Sequence, residues 1–257
     1  MKNFFTSLDT LYQSGDLDAA ESYLKDELAR SEGNHRVTVL NELAGLYRST
    51  SRYQESTRAF GEAMELLEMD GADNTQAYAT LLLNSAGTCR LSGDLDRAAE
   101  LFEEALKRME PDSYITASLM NNLALLKCEQ GDIDAAKSMA TQALAWLRCH
   151  GMPAHETAVS LSNLGAIHLK AGDLELAEDF LEQAFICFES MPETDVHYAA
   201  ALSVKGKLCA QRHDWDGAEA SYKKAMELTE RFFGKNAEFI AAQQAIEEVR
   251  KRRKCKE

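Results

Sequence analysis

A ten-residue segment that recurs along the chain constrains the fold more than any other feature. GDLDAAESYL at 15–24 returns as GDLDRAAELF at 93–102, GDIDAAKSMA at 131–140 and GDLELAEDFL at 172–181. SRYQESTRAF at 51–60 and HDWDGAEASY at 213–222 are weaker copies. The first residues of the six copies, 15, 51, 93, 131, 172 and 213, are separated by 36, 42, 38, 41 and 41 residues. A steady period near 40 residues marks a repeat architecture, in which one supersecondary unit cannot bury its apolar face alone and stacks on its neighbours.

Side-chain size is fixed at set distances from the first residue of each copy, the turn position. Five residues after it stand Ala20, Ser56, Ala98, Ala136, Ala177 and Ala218, and twelve after it Glu27, Ala63, Ala105, Ala143, Ala184 and Ala225. Nine after it the residue is mostly large: Leu24, Phe60, Phe102, Ala140, Leu181 and Tyr222. Seven before it, from the second copy on, are Ala44, Ala86, Ala124, Gly165 and Gly206. Small residues at regular sites let two helices approach, and a large one fills the space between layers. Apolar residues recur every three or four positions on both sides of each turn, as in SLMNNLALLKCEQ before it and DLDRAAELFEEALKRM after it. Gly-Asp at the turn supplies a helix C-cap and then an N-cap. With 14 Gly and 3 Pro in 257 residues, the chain lacks the turn residues that an all-β protein needs, and an all-α fold is predicted.

These helix–turn–helix units resemble the tetratricopeptide repeat over residues 1–235. The resemblance implies a right-handed α-solenoid of about six units. The family period is about 34 residues, so a period near 40 implies longer helices or linkers. The linkers EPDSYITASLMNNLA, HGMPAHETAVSLSNLG and FGKNAEFIAAQQAIEE look like those of the kinesin-light-chain-like variant, whose first helix carries Asn-Asn-Leu-Ala, here Asn121-Asn122-Leu123-Ala124. The pattern has departures. The first unit is degenerate, with Leu8 at a small site and Glu27 at an alanine site, and reads as an N-terminal cap. The second lacks Gly-Asp, and the last has Lys205 where Leu is usual. Residues 236–257 read as a capping helix and a basic tail, since a solenoid end needs a polar outer face.

A catalytic reading has nothing to rest on. The sequence contains no G-x-S-x-G, H-E-x-x-H, P-loop or dinucleotide fingerprint, so a non-enzymatic protein without cofactors is expected. Cys149, His150 and His155 lack a fourth ligand and ordinary metal spacing. The six cysteines, Cys89, Cys128, Cys149, Cys187, Cys209 and Cys255, form no C-x-x-C and read as free, mostly buried thiols. Trp146 and Trp215 read as packing residues on second helices. No apolar run reaches the length of about 20 residues that a membrane span needs, and the N-terminus has no apolar signal core. The expectation is a cytoplasmic protein with no membrane partner. The net charge is −14, and residues 250–256, RKRRKCK, carry six positive charges, which leaves −20 on the rest (−14 minus 6). An acidic body repels phosphates and disfavours nucleic acid. The basic end reads as a solvated, disordered terminus.

In a solenoid of helical pairs the first helices line the concave face. If the sites eight, seven and four before the turn pack, the opposite stripe lies thirteen, ten, nine, six, three and two before it. Nine before the turn stand Glu42, Asn84, Asn122, Asn163 and Val204; ten before it stand Asn41, Leu83, Asn121, Ser162 and Ser203. Three successive units thus carry Asn at one site. Its amide donates and accepts, so it can pair with the backbone of an extended peptide whatever its side chains. The resemblance points the same way, since related repeats use asparagines of this helix to contact peptide. The other reading is that these asparagines tie neighbouring helices together. Across the thirty stripe sites the acids are Glu42 and Glu129 and the bases Arg48, Arg90, Lys170 and Lys207. This local excess of two positive charges points to an acidic or carboxylate-bearing ligand.

The expected function is therefore a scaffold that holds an extended protein or peptide segment in a concave groove, with Asn41, Asn84, Asn121, Asn122, Asn163, Arg48, Arg90, Lys170, Ser203 and Lys207 as its contact residues. No unit has Lys ten before the turn, which disfavours capture of chaperone tails by a carboxylate clamp. Two rival readings stand beside it. One is a bacterial peptide-responsive regulator or sensor. The other is a structural scaffold that forms homo-oligomers through its convex face or terminal helices; a large exposed apolar patch at 236–250 would favour it.

Overall fold

The structure, a computed structural model, describes residues 2–109, 113–191 and 196–254, without the side chains of Lys2 and Val196. The described residues form thirteen helices and no strands: α1 (Lys2–Ser14), α2 (Leu17–Arg30), α3 (Gly33–Ser49), α4 (Tyr53–Met69), α5 (Gln76–Ser92), α6 (Leu95–Arg108), α7 (Tyr114–Glu129), α8 (Ile133–Cys149), α9 (Ala154–Ala171), α10 (Leu174–Glu189), α11 (Val196–Gln211), α12 (Trp215–Phe233) and α13 (Ala237–Lys254). Each of the six turn positions falls between a first and a second helix, so the repeat read from the sequence is a helical hairpin. Among the described residues no helix is long and apolar enough to cross a membrane.

The turn residue adopts one backbone conformation in all six units. The turn residue is left-handed every time, with φ of 74° at Gly15, 61° at Ser51, 88° at Gly93, 90° at Gly131, 85° at Gly172 and 63° at His213. Ser51 and His213 adopt this conformation despite their side chains, which shows that the hairpin geometry imposes it. The following Asp then caps the second helix: Asp16, Asp94, Asp132 and Asp214 accept from the backbone N–H three residues on, at 2.9 to 3.2 Å. Asp173 departs from this. Its Oδ2 accepts from Lys137 Nζ of α8 at 2.6 Å and lies 3.1 Å from His168 Nδ1, which ties one hairpin to the next.

The chain divides into two compact units, Met1–Leu119 and Met120–Glu257, with the division inside α7. In the first, α1 packs on α2, α3 on α4 and α5 on α6. Leu8 is buried against Phe4, Leu24 and Val39, so the large residue at the small site of the first hairpin is absorbed into its own core. Ser56 takes the alanine site of the second hairpin and is fully buried; its hydroxyl donates to Ala44 O at 2.8 Å and lies 3.1 Å from Thr88 Oγ1. The polar substitution is accommodated because both of its hydrogen-bonding needs are met.

In the second unit, α9 packs on α10, α11 on α12, and α13 on α12. The small sites are the points of closest approach. A Cβ on Gly165 would stand 2.9 Å from Leu181 Cγ, and one on Gly206 would stand 2.8 Å from the Tyr222 ring. The large residue nine after the turn therefore fills the space left by the small residue seven before it. At the chain end, Ile246 and Val249 of α13 bury against Ala218 and Tyr222 of α12, as a capping helix should. The basic end is a correction to expectation: it continues α13 to Lys254 instead of fraying. Arg250 donates twice to Glu219 Oε1, at 3.1 and 2.8 Å, and Arg253 pairs with Asp216 at 2.7 Å. These ion pairs with α12 give the cations a reason to stay helical. Cys255 and Lys256, also part of the expected tail, lie outside the described residues. Cys89 and Cys128 are buried free thiols, Cys187 and Cys209 are half-buried, and Cys149 is exposed. Trp215 packs in the α12–α13 core, whereas Trp146 stacks on His150 with ring centroids 4.1 Å apart.

Candidate functional site

The inward stripe inferred from helical geometry is narrower than expected, because neighbouring first helices lie side by side. α3 meets α5 in the first unit, and α9 meets α11 in the second. This contact covers the flanks of the stripe. Ten residues before the turn, Leu83, Asn121 and Ser162 are buried; three before it, Cys89's neighbour Arg90 and the equivalent Arg48 are half-buried while Cys128 and Leu169 are buried. The sites thirteen, nine and six before the turn stay at least partly open in most units, and the site two before it holds exposed Leu91, Glu129, Lys170 and Gln211.

In the first unit the two asparagines find each other. Asn84 Nδ2 donates to Asn41 Oδ1 at 3.1 Å, and Asn41 Nδ2 donates to Glu42 Oε1 at 3.2 Å. This chain links α3 to α5, and it leaves both amides half-buried. Arg48 Nη1 donates to Asn84 O at 3.3 Å, so one guanidinium reaches across from α3 onto the backbone of α5. The reach is open because Gly45 and Gly87 occupy the sites six before the turn. A Cβ on Gly87 would lie 3.7 Å from Arg48 Nη1, and one on Gly45 would meet nothing within 4 Å. Sequence reading missed these two glycines. Their signal was present, as two glycines at one site of consecutive units, but helix interiors disfavour Gly and only the side-by-side helices show the use of the missing side chain.

Electrostatics single out the same place. Burial lowers the pKa of the Arg48 guanidinium; Arg90 pushes the same way and Glu42 opposes. Burial raises the carboxyl of Glu42, with Asp9 adding to the effect and the Asn41 amide and Arg48 opposing it. Arg48, largely desolvated and within Coulombic reach of Arg90, faces a carboxylate that is itself disfavoured in its charged form. An anion placed there would be stabilised by both cations.

In the second unit the asparagines divide. Asn121 is 8% exposed and accepts from Ser160 Oγ of α9 at 3.1 Å, the helix-tying role. Asn122 and Asn163 remain half-exposed on the face itself. Lys170 Nζ donates to Cys128 O at 2.6 Å, which mirrors Arg48 in joining a cation to the backbone of an adjacent first helix. Ser203 is half-buried and Lys207 exposed on α11. The ten expected contact residues thus separate into ties (Asn41, Asn84, Asn121, and in part Arg48 and Lys170) and half-buried or exposed groups (Asn122, Asn163, Arg90, Ser203, Lys207). Among the described residues no group of three or more His, Cys, Asp or Glu side chains is placed to hold a metal. In the α13 segment from 236 to 250, Ile240 is the exposed large hydrophobic residue among those described, without a broad apolar patch around it.

Comparison with known proteins places these hairpins. The profile of the tetratricopeptide repeat matches residues 35–110, 77–148 and 115–189. Curated protein sequences give no match. Among solved structures, BtubC (BKLC) from P. vanneervenii is 25% identical, with a TM-score of 0.61 over 74% of this chain and 80% of that one. A Podosopora anserina protein assigned as a kinesin light chain, with nearly identical TPR-like repeats, is 16% identical, with a TM-score of 0.55 over 75% of this chain and 97% of that one. NprR, solved in complex with its cognate peptide NprX, is 16% identical, with a TM-score of 0.73 over 95% of this chain and 71% of that one. The last two likenesses concern the fold alone.

Proposed function

We propose that this chain, which belongs to the tetratricopeptide repeat family, is a non-enzymatic scaffold that holds an extended, acidic segment of a protein or peptide along the exposed faces of its first helices. The observation that carries the proposal is the pair of cations, Arg48 and Arg90, on the first-helix face of the Met1–Leu119 unit, beside open Gly45. Arg48 loses hydration on burial and is repelled by Arg90, so an anion bound beside it would offset both effects. The missing side chain at Gly45 leaves room for a ligand backbone to approach, while the one missing at Gly87 makes room for the Arg48 guanidinium. Within the Met120–Glu257 unit, half-exposed Asn122 and Asn163 offer amides that donate and accept, which suits main-chain recognition in an extended peptide. NprR, a protein of the same fold, was solved in complex with its cognate peptide NprX, so a repeat of this kind can hold a peptide.

The test is capture from the native lysate, followed by titration of the captured segment as a synthetic peptide. Asn122→Ala with Asn163→Ala should weaken binding by about five- to a hundredfold, taking roughly 0.5–1.5 kcal/mol per lost contact. Arg90→Gln should weaken an acidic peptide with an effect that shrinks as salt rises. A double variant that unfolds assigns the asparagines to the architecture. A folded one that binds with parental affinity moves the function to another surface.

A further inference from the structure

Lys205 breaks the repeat at a packing site, and the break leaves a cleft. Eight residues before the turn, the second to fifth units bury Leu43, Ser85, Leu123 and Leu164. A lysine cannot be buried there without losing its hydration. Lys205 is instead exposed, with its ammonium 5.3 Å from the centre of the Phe185 ring. The space it vacates between α10, α11 and α12 is an open cleft of about 490 Å³. A smaller cavity of about 170 Å³ adjoins it and shares Glu182, Phe185 and Lys205. The cleft lies on the second-helix side, away from the first-helix face discussed above.

Its walls differ in charge. On α10, Glu182, Ile186 and Glu189 follow one another at i, i+4 and i+7, so they form a single stripe. On the opposite side stand Lys205 of α11 and Lys224 of α12. Lys224 sits 5.1 Å from the Tyr198 ring centre and donates to Tyr198 Oη at 3.2 Å. None of these four charged groups enters an ion pair with another described residue. The floor is apolar, made of Phe185, Tyr198 and Leu202, and Phe185 and Tyr198 meet edge to face at 5.6 Å. Ile186, on the acidic wall, is 69% exposed. An isolated apolar side chain is ordinary on a surface, but this one borders an aromatic floor between opposed charges.

We infer that the cleft docks an amphipathic helix of a partner protein, one with a narrow apolar ridge, basic residues along one edge and acidic residues along the other. The ridge would cover Phe185, Ile186 and Leu202, the basic edge would face Glu182 and Glu189, and the acidic edge would face Lys205 and Lys224. The opposed charges select this occupant: a uniformly acidic or uniformly basic helix would set like charges against one wall. The volume suits a row of side chains, and an open groove with an apolar floor suits a helix laid against it.

Three labelled synthetic helices of one apolar ridge test this by fluorescence anisotropy: one with a basic and an acidic edge, one with two acidic edges and one with two basic edges. The mixed helix should bind saturably and at least about fivefold tighter than the other two, the scale expected for a few exposed ion pairs. Lys205→Leu should refill the packing site, raise the unfolding midpoint and weaken binding by more than tenfold. Lys205→Glu with Lys224→Glu changes only exposed groups and should turn the preference to the two-basic-edge helix. No saturable binding of the mixed helix, equal binding of all three, undiminished binding by folded Lys205→Leu, or an unchanged preference in the double Glu variant would overturn the assignment.

Discussion

The left-handed turn residue shows how much one backbone dihedral asks of a side chain. Four of the six turns place Gly there, and Ser51 and His213 fill the other two. An L-residue in this region crowds its own Cβ against the carbonyl, at a cost of roughly 1–2 kcal/mol, which Gly avoids. Gly131→Ala should therefore lower stability by about 1 kcal/mol in urea titration. Ser51→Gly should raise it by less, because the flexible unfolded chain offsets part of the relief. If Gly131→Ala melts with the parent, the turn is not held left-handed. The same scale explains Lys205, Ser56 and Leu8: each departs from the repeat, and each departure has a local physical consequence, an open cleft, a hydrogen-bonded hydroxyl and a private core.

Between elements, what matters is the fit of a small residue to a large one on the next helix. The Cβ missing from Gly206 would collide with the body of the Tyr222 ring, which has no flexible end to move aside. Gly206→Ala should thus cost on the order of 1–3 kcal/mol by overpacking, and Ala177→Leu, at a fully buried site, a similar amount. Thermal melts of both variants that overlay the parent would show that the helix register is wrong. The docking of α13 is electrostatic as well as apolar. Hydrogen bonds from Arg250 and Lys223 take the Glu219 carboxyl from its ordinary 4.5 down to about 2, against the opposing effect of burial. A lowered pKa means that the unfolded state binds protons first on acidification. The contribution is therefore fully present above pH 4.5 and is lost as the pH falls towards 2. Once exchange is corrected for the intrinsic slowing of amide exchange in acid, the protection of α13 should fall across that window, and Glu219→Gln should flatten the dependence. An α13 whose exchange has the same pH profile in parent and variant would mean that the apolar contacts of Ile246 and Val249 alone hold it.

For the whole molecule, the consequence of the repeat is helix without sheet. Far-UV circular dichroism should show a nearly all-helical spectrum, and a substantial β component would contradict the fold. Stability in such a protein is close to a sum of hairpins and nearest-neighbour contacts. In the Met120–Glu257 unit, Ala177→Leu should speed amide exchange most in α9 and α10, less in α11 and α12, and least in α13. Uniform acceleration would indicate a single cooperative block instead.

The period, the two helices per unit, the six turn positions and the small-to-large packing code follow from the sequence, because each is a local rule repeated at fixed spacing. A repeat states its rule six times, so single departures such as Leu8 or Ser51 do not hide it. The contact face was only half legible. Helical geometry selects the side of a helix that turns from the core, but how much of that side a neighbouring first helix covers depends on contacts between residues about 40 positions apart. That is why Asn121 and Asn122, adjacent in sequence and alike in chemistry, separate into a buried tie to Ser160 and a half-exposed amide. It is also why the Arg48 guanidinium over Gly87, the Asn41–Asn84 bond and the cleft beside Lys205 emerged only with the tertiary structure: each is set by the distance between two helices, which no single helix encodes.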